Sequence, residues 1–179
     1  MNYRHAFHAG NFADCLKHAL LVWLLDALCR KPAPFFVLDT HAGAGFYDLE
    51  SAEAVRGGEW QGGIGRLLDD PPPPLVAYVG LVRALGLYPG SPALIRARLR
   101  PDDRLACCEL HEAEAARLRR RFAHDPQVAV HRRDGWEAVG ALLPPAAARR
   151  GLVLIDPPFE QPGEHQRILA AFETAARRC

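Results

Sequence analysis

Four short apolar runs share one grammar along the chain: Phe35-Phe36-Val37-Leu38-Asp39, Leu105-Ala106-Cys107-Cys108-Glu109, Val128-Ala129-Val130-His131 and Leu152-Val153-Leu154-Ile155-Asp156. Each is continuously apolar rather than alternating, as expected of strands buried on both faces of a parallel sheet, and three of the four end in a carboxylate. Helical periodicity fills the intervals over Glu112 to Phe122 and Trp136 to Leu143, and continues from Glu164 to Arg177 after the last run. Strands alternating with helices predict an α/β fold, a doubly wound parallel sheet with helices on both faces.

Two segments depart from that rhythm. Ahead of the first strand, Asn11 as N-cap and Asp14 three residues on predict a helix whose apolar positions Leu16, Leu20, Trp23, Leu24 and Leu28 recur at helical spacing up to the break at Lys31-Pro32. Between the first two strands, Thr40 to Asp103 is far longer than a crossover needs. It contains the run Pro71 to Pro74, a helical Leu75 to Leu85, and the turn Tyr88-Pro89-Gly90 leading to a helix capped by Ser91 with Pro92 at its first position. The expected organisation is a core of residues 1–39 and 101–179 carrying a helical insertion subdomain over 46–100.

At 179 residues the chain has room for one domain with a small insertion, and 49% hydrophobic against 24% charged residues is a globular composition. Lys+Arg 22 against Asp+Glu 21 leaves a formal charge of +1, so a nucleic-acid partner would be held by a local basic patch rather than by the field of the whole molecule. The apolar run Ala19 to Leu25 is bracketed by Asp14, Lys17, His18 and Asp26, too short and too charged at its ends to span a bilayer or serve as a signal, which points to the cytoplasm and away from membranes. Five cysteines without a C-x-x-C pair read as reduced thiols.

In an open parallel sheet, ligands bind beyond the carboxyl ends of the strands. The first strand ends in Asp39-Thr40-His41-Ala42-Gly43-Ala44-Gly45, a tight turn in which Gly43 lets backbone approach a ligand; an NAD-type G-x-G-x-x-G is incomplete because Asp48 stands at its third glycine. Glu109 closes the second strand, where a carboxylate accepts from both hydroxyls of a ribose or is simply a solvated acid. Asp134-Gly135 follows the third, where Asp can accept from an exocyclic amine and Gly lets a flat base lie against backbone; Asp134 can equally cap the next helix. Together they fit an adenosine-type cofactor better than singly. At the fourth strand end, Asp156-Pro157-Pro158-Phe159 removes two amide donors and leaves the Asp156 carboxylate and Pro157 carbonyl as acceptors for a planar amine, with Phe159 as a face on which a base can stack.

D-P-P-F resembles the [DNS]-P-P-[YFW] motif of S-adenosylmethionine-dependent methyltransferases acting on amino nitrogens, and D-T-H-A-G-A-G resembles their cofactor loop. With the opening Y-R-H-A-F-H-A-G-N-F-A-D-C-L-K-H from Tyr3 to His18, the Tyr88 to Pro92 segment, Glu109-Leu110-His111 and Gly151 to Phe159, the chain resembles the RlmJ family, which methylates the N6 of an adenine in 23S ribosomal RNA. The resemblance implies a Rossmann-like class I methyltransferase fold. It implies contacts to S-adenosylmethionine at His18, His41, Gly43, Ser91, Glu109, Asp134, Gly135 and Asp156, a catalytic Asp156 with Pro157 and Phe159, and RNA contacts at Tyr3 and Phe159. Ser91 at a helix start and His18 would suit the methionine carboxylate.

Phe159 stands where the family often has Tyr, a pattern also similar to methyltransferases acting on guanine N2, so that base is the alternative target. His5, His8, Asp14 and His18 carry metal-like spacing, but no fourth ligand is obvious and the methyltransferase pattern accounts for them, so no metal is expected. Arg117, Arg119, Arg120 and Arg121, with Arg132 and Arg133, form either an RNA-phosphate patch or a solvated helix face. The resembled fold continues past its fourth strand, which predicts missing C-terminal strands and an apolar edge at Leu152 to Asp156. A fragment of a longer protein is the expected explanation, with a covering partner chain or a catalytically impaired binding fragment as alternatives.

Overall fold

The four predicted strands form one parallel sheet in a computed structural model that describes residues 4–146 and 148–178. In chain order the elements are α1 (Phe12–Cys29), β1 (Phe36–Asp39), β2 (Phe46–Tyr47), α2 (Ala52–Gly57), α3 (Ile64–Leu67), α4 (Val76–Leu85), β3 (Tyr88–Pro89), α5 (Ser91–Arg96), β4 (Arg104–Cys108), α6 (Glu112–Arg121), β5 (Val128–His131), α7 (Gly135–Leu142), β6 (Gly151–Leu154) and α8 (Glu164–Arg178). Two compact units divide the described residues: one of residues 31–44 and 99–178, the other of residues 4–30 and 45–98.

The first unit holds the sheet, in the order β5-β4-β1-β6. The chain steps from β1 outward through β4 to β5 and then returns to the opposite side of β1 for β6, so the winding reverses at β1, where such sheets bind ligands. The register sets Asp39 beside Cys107 of β4 and Leu154 of β6. Leu38, Ala106 and Cys108 point to the face covered by α7 and α8, where Ala138, Val139, Leu143 and Ala171 complete the buried cluster. At the opposite end of the strands Asp103, fully buried, accepts from the Phe35 and Arg100 amides and from the Arg100 guanidinium at 2.8–3.0 Å. Arg100 also donates to the carbonyls of Lys31 and Ala33, tying the entry of β1 to that of β4.

The second unit is built on α1. Asn11 caps it as expected, its side chain accepting from the Asp14 amide at 2.9 Å, a contribution of about 0.5–2 kcal/mol. The buried face is not the predicted one. Leu16, Leu20 and Trp23 are exposed, whereas Cys15, His18, Leu21, Val22 and Leu25 are buried and α1 packs on α4 and α5. Residues 4–30 fall with residues 45–98 in this unit. The turn expected at Tyr88-Pro89 is a short strand, β3, paired antiparallel with β2. Helix α5 is capped by Gly90, whose amide donates to the Gly45 carbonyl at 2.9 Å; Ser91 is the first helical residue rather than the cap.

Candidate active site

The β1 strand end continues as a loop stitched to both neighbouring strands. Thr40 donates its amide to the Leu154 carbonyl of β6 at 3.0 Å, and Ala42 donates to the Cys108 carbonyl of β4 at 3.0 Å. The Thr40 hydroxyl also donates to the Leu154 carbonyl. Gly43 and Gly45 both adopt positive φ, 62° and 83°, the left-handed conformation that this turn requires and that side chains resist.

Glu109, at the β4 end, joins that loop. Its Oε2 accepts from the Gly43 amide at 2.8 Å, and its Oε1 accepts from the His111 amide at 2.7 Å. Burial pushes the carboxyl up, and these two amides oppose the shift. Each oxygen keeps a second lone pair, so the carboxylate can orient a ribose diol while anchored. Leu110 beside it is exposed, an apolar surface next to the acid.

Asp134 does cap α7, its Oδ1 accepting from the Trp136 amide at 2.7 Å and the Glu137 amide at 3.4 Å. Gly135 has a steric reason to be glycine: a Cβ there would stand 2.0 Å from the Thr40 carbonyl oxygen. The start of α7 is therefore pressed against the β1 loop. Trp136, also missed from the sequence, packs its ring edge-on to His41 at 5.0 Å. His41 Nδ1 lies 2.8 Å from the Thr40 hydroxyl. Burial lowers its pKa, while the negative charges of Asp156 and Asp134 act in the opposite sense.

Asp156 follows β6 by two residues, half-buried, with Pro157 buried behind it. Phe159 is 55% exposed and sits at φ 54°, a left-handed backbone that a non-glycine residue adopts only where its surroundings enforce it. Its ring lies 5.4 Å from that of His165 at the start of α8.

Tyr3 falls outside the described residues. His18 and Ser91 belong to the second unit, where His18 is buried with Nδ1 3.1 Å from the Tyr88 hydroxyl, itself 3.0 Å from that of Tyr78. Burial raises both phenols, so neither ionises near neutrality. In the same unit Asp14 is bonded to the Gly10 amide and paired with His5 and Lys17, and His8 pairs with Glu59. Burial alone would raise the Asp14 carboxyl, but its His5 bond and the charges of His5, His18 and Lys17 hold it well below the usual range. Among the described residues no three His, Cys, Asp or Glu side chains assemble a metal site. On and beside α6, Arg117 pairs with Glu114 at 3.2 Å and Arg132 with Glu112 at 3.4 Å.

Among the described residues no helix is long and apolar enough to cross a membrane. The family model described as "Ribosomal RNA large subunit methyltransferase D, RlmJ" matches residues 32–179. Ribosomal RNA large subunit methyltransferase J of Escherichia coli is 42% identical over 186 residues, spanning 99% of this chain and 66% of the relative. The protein of the same name from Haemophilus influenzae is 42% identical over 187 residues with the same coverage. A crystal structure of a Legionella pneumophila protein superposes with a TM-score of 0.87 at 36% identity, over 96% of this chain and 66% of that one. The chain thus spans 66% of the length of these relatives. By the family match and these identities, the chain belongs to the RlmJ family of ribosomal RNA large subunit methyltransferases.

Proposed function

We propose that the strand ends of the sheet bind S-adenosylmethionine and present an adenine of 23S ribosomal RNA for methylation at its exocyclic N6. The observation that carries this reading is the convergence of Gly43, Glu109, Asp134, Gly135 and Asp156 at the carboxyl end of one parallel sheet whose winding reverses at β1. The donor set fits the cofactor: Glu109 has lone pairs left for ribose hydroxyls, Asp134 uses only Oδ1 in its helix cap, and Gly135 presents backbone instead of a side chain.

S-adenosylmethionine, when bound, supplies an electrophilic methyl group on a sulfonium. The chain supplies position. Asp156 and the Pro157 carbonyl accept the two N–H bonds of a planar amine and aim its nitrogen outward, since the two prolines leave no competing amide donors. An aromatic amine is scarcely basic, so its proton leaves after transfer and Asp156 acts as an orienting acceptor. Phe159 offers an exposed ring on which an extruded base stacks. His18, Ser91 and Tyr3 enter the reading through the family resemblance alone, as does the cytoplasmic setting. Incubation with labelled S-adenosylmethionine and unmodified 23S ribosomal RNA is expected to label the RNA; an unlabelled RNA, with cofactor bound, would overturn the reading.

A further inference from the structure

His165 was singled out by no motif, yet its ring packs against that of Phe159 at 5.4 Å and 44°, a spacing at which aromatic pairs attract. The prolines and the positive φ at Phe159 fix its backbone, but they leave the side-chain torsions of a 55% exposed ring unconstrained. What restrains the ring comes from the first turn of α8. Glu164, 5% exposed, accepts from the Gln161 amide at 3.4 Å, so the loop after Asp156 is tied to that turn, and Gly163 at φ 87° turns the chain into the helix. The next residue, His165, stands tilted against the Phe159 ring. An exposed ring on a strained backbone adds little to the core; such an arrangement is kept where a ligand uses it.

We propose that His165 is a positioning residue of the target-base site, holding the Phe159 ring in the orientation on which the extruded base stacks. The proposal rests on the reading of Phe159 given above and adds to it the residue that restrains the stacking surface. Loss of an aromatic pair of this kind corresponds to an about 2- to 10-fold change in an equilibrium constant.

The test compares wild type, His165→Ala and His165→Phe on an RNA fragment containing the target adenine. His165→Ala is expected to raise KM for RNA about 2- to 10-fold with affinity for S-adenosylmethionine unchanged, and His165→Phe to restore it. An unchanged KM in the alanine variant, a parallel loss of cofactor affinity, or failure of phenylalanine to restore KM would overturn the proposal. A second titration uses the same fragment with 2-aminopurine in place of the target and reads quenching of its fluorescence on stacking, without turnover. His165→Ala should weaken quenching and His165→Phe retain it; identical titrations for all three would overturn the role of His165. An inactive wild type that still quenches would sink the methyltransferase reading and leave the His165 test to this titration.

Discussion

The Glu109 carboxylate accepts the Gly43 amide at 2.8 Å, so the acid at the end of β4 braces the glycine turn that follows β1. One side chain thus sets the shape of the glycine loop, and in the proposed reading its remaining lone pairs go to a ribose. Glu109→Ala is expected to weaken S-adenosylmethionine binding by about 1–3 kcal/mol, read by calorimetric titration. Glu109→Gln should lose nearly as much, because an amide nitrogen in place of either oxygen meets a backbone N–H. Unchanged affinity in both variants would remove Glu109 from the ribose.

Gly135 tests the contact between α7 and the β1 loop. The Cβ of Gly135→Ala would sit 2.0 Å from the Thr40 carbonyl oxygen, a backbone atom with little room to yield. The substitution is expected to lower stability by about 1–3 kcal/mol, visible as a reduced Tm, and to weaken cofactor binding with it. A wild-type Tm would show that α7 and the loop can part without loss.

The strands were legible because burial on both faces leaves a continuous apolar run, a signal few other elements share. Glu109 and Asp156 stand at the ends of two of these runs and Asp134 follows a third, so the strand signal also named these acids as candidates. The face of α1 was misread because apolar residues ring the helix: Leu16, Leu20 and Trp23 make as regular a stripe as Cys15, Leu21, Val22 and Leu25. What selects the buried phase is tertiary, the packing of α1 on α4 and α5 and the partners that make buried Asp14 and His18 tolerable. The β2–β3 pair was invisible because each strand is two residues long and one contains proline. Trp136 and His165 carry no motif; only the fold brings them to His41 and Phe159.

His41 and Asp156 are coupled electrostatically. Burial lowers the His41 pKa below its ordinary 6.5, and the charge of Asp156 partly offsets that shift. A proton NMR titration of the free protein is expected to give a His41 midpoint below 6.5, and Asp156→Asn, which removes the charge, should move it lower still. A midpoint that rises in the variant would contradict their proximity.

Asp103 makes stability depend on acid. Burial alone would raise its carboxyl, but the Arg100 guanidinium and the Phe35 and Arg100 amides outweigh that and hold it below 3.8. Its folded pKa is depressed, so its contribution is present above the unfolded value and is lost as pH falls through the folded one. Denaturant midpoints should therefore fall on acidification below about pH 4, and Asp103→Asn should lower stability at neutrality and flatten that dependence. An equal slope in the variant would assign the acid sensitivity elsewhere.

In the proposed reading Asp156 serves the methyl transfer more than cofactor affinity. Asp156→Ala is expected to retain most S-adenosylmethionine affinity while methyl transfer falls about 100-fold or more, since a misplaced amine loses the geometry of attack. Normal turnover in this variant would end its assignment as the orienting acceptor.

The most direct measurement is nucleoside mass analysis of 23S ribosomal RNA after incubation of unmodified RNA with the protein and S-adenosylmethionine. The account predicts one new methylated nucleoside, N6-methyladenosine, absent with Asp156→Ala. N2-methylguanosine in its place would contradict the adenine assignment and favour guanine, the alternative target.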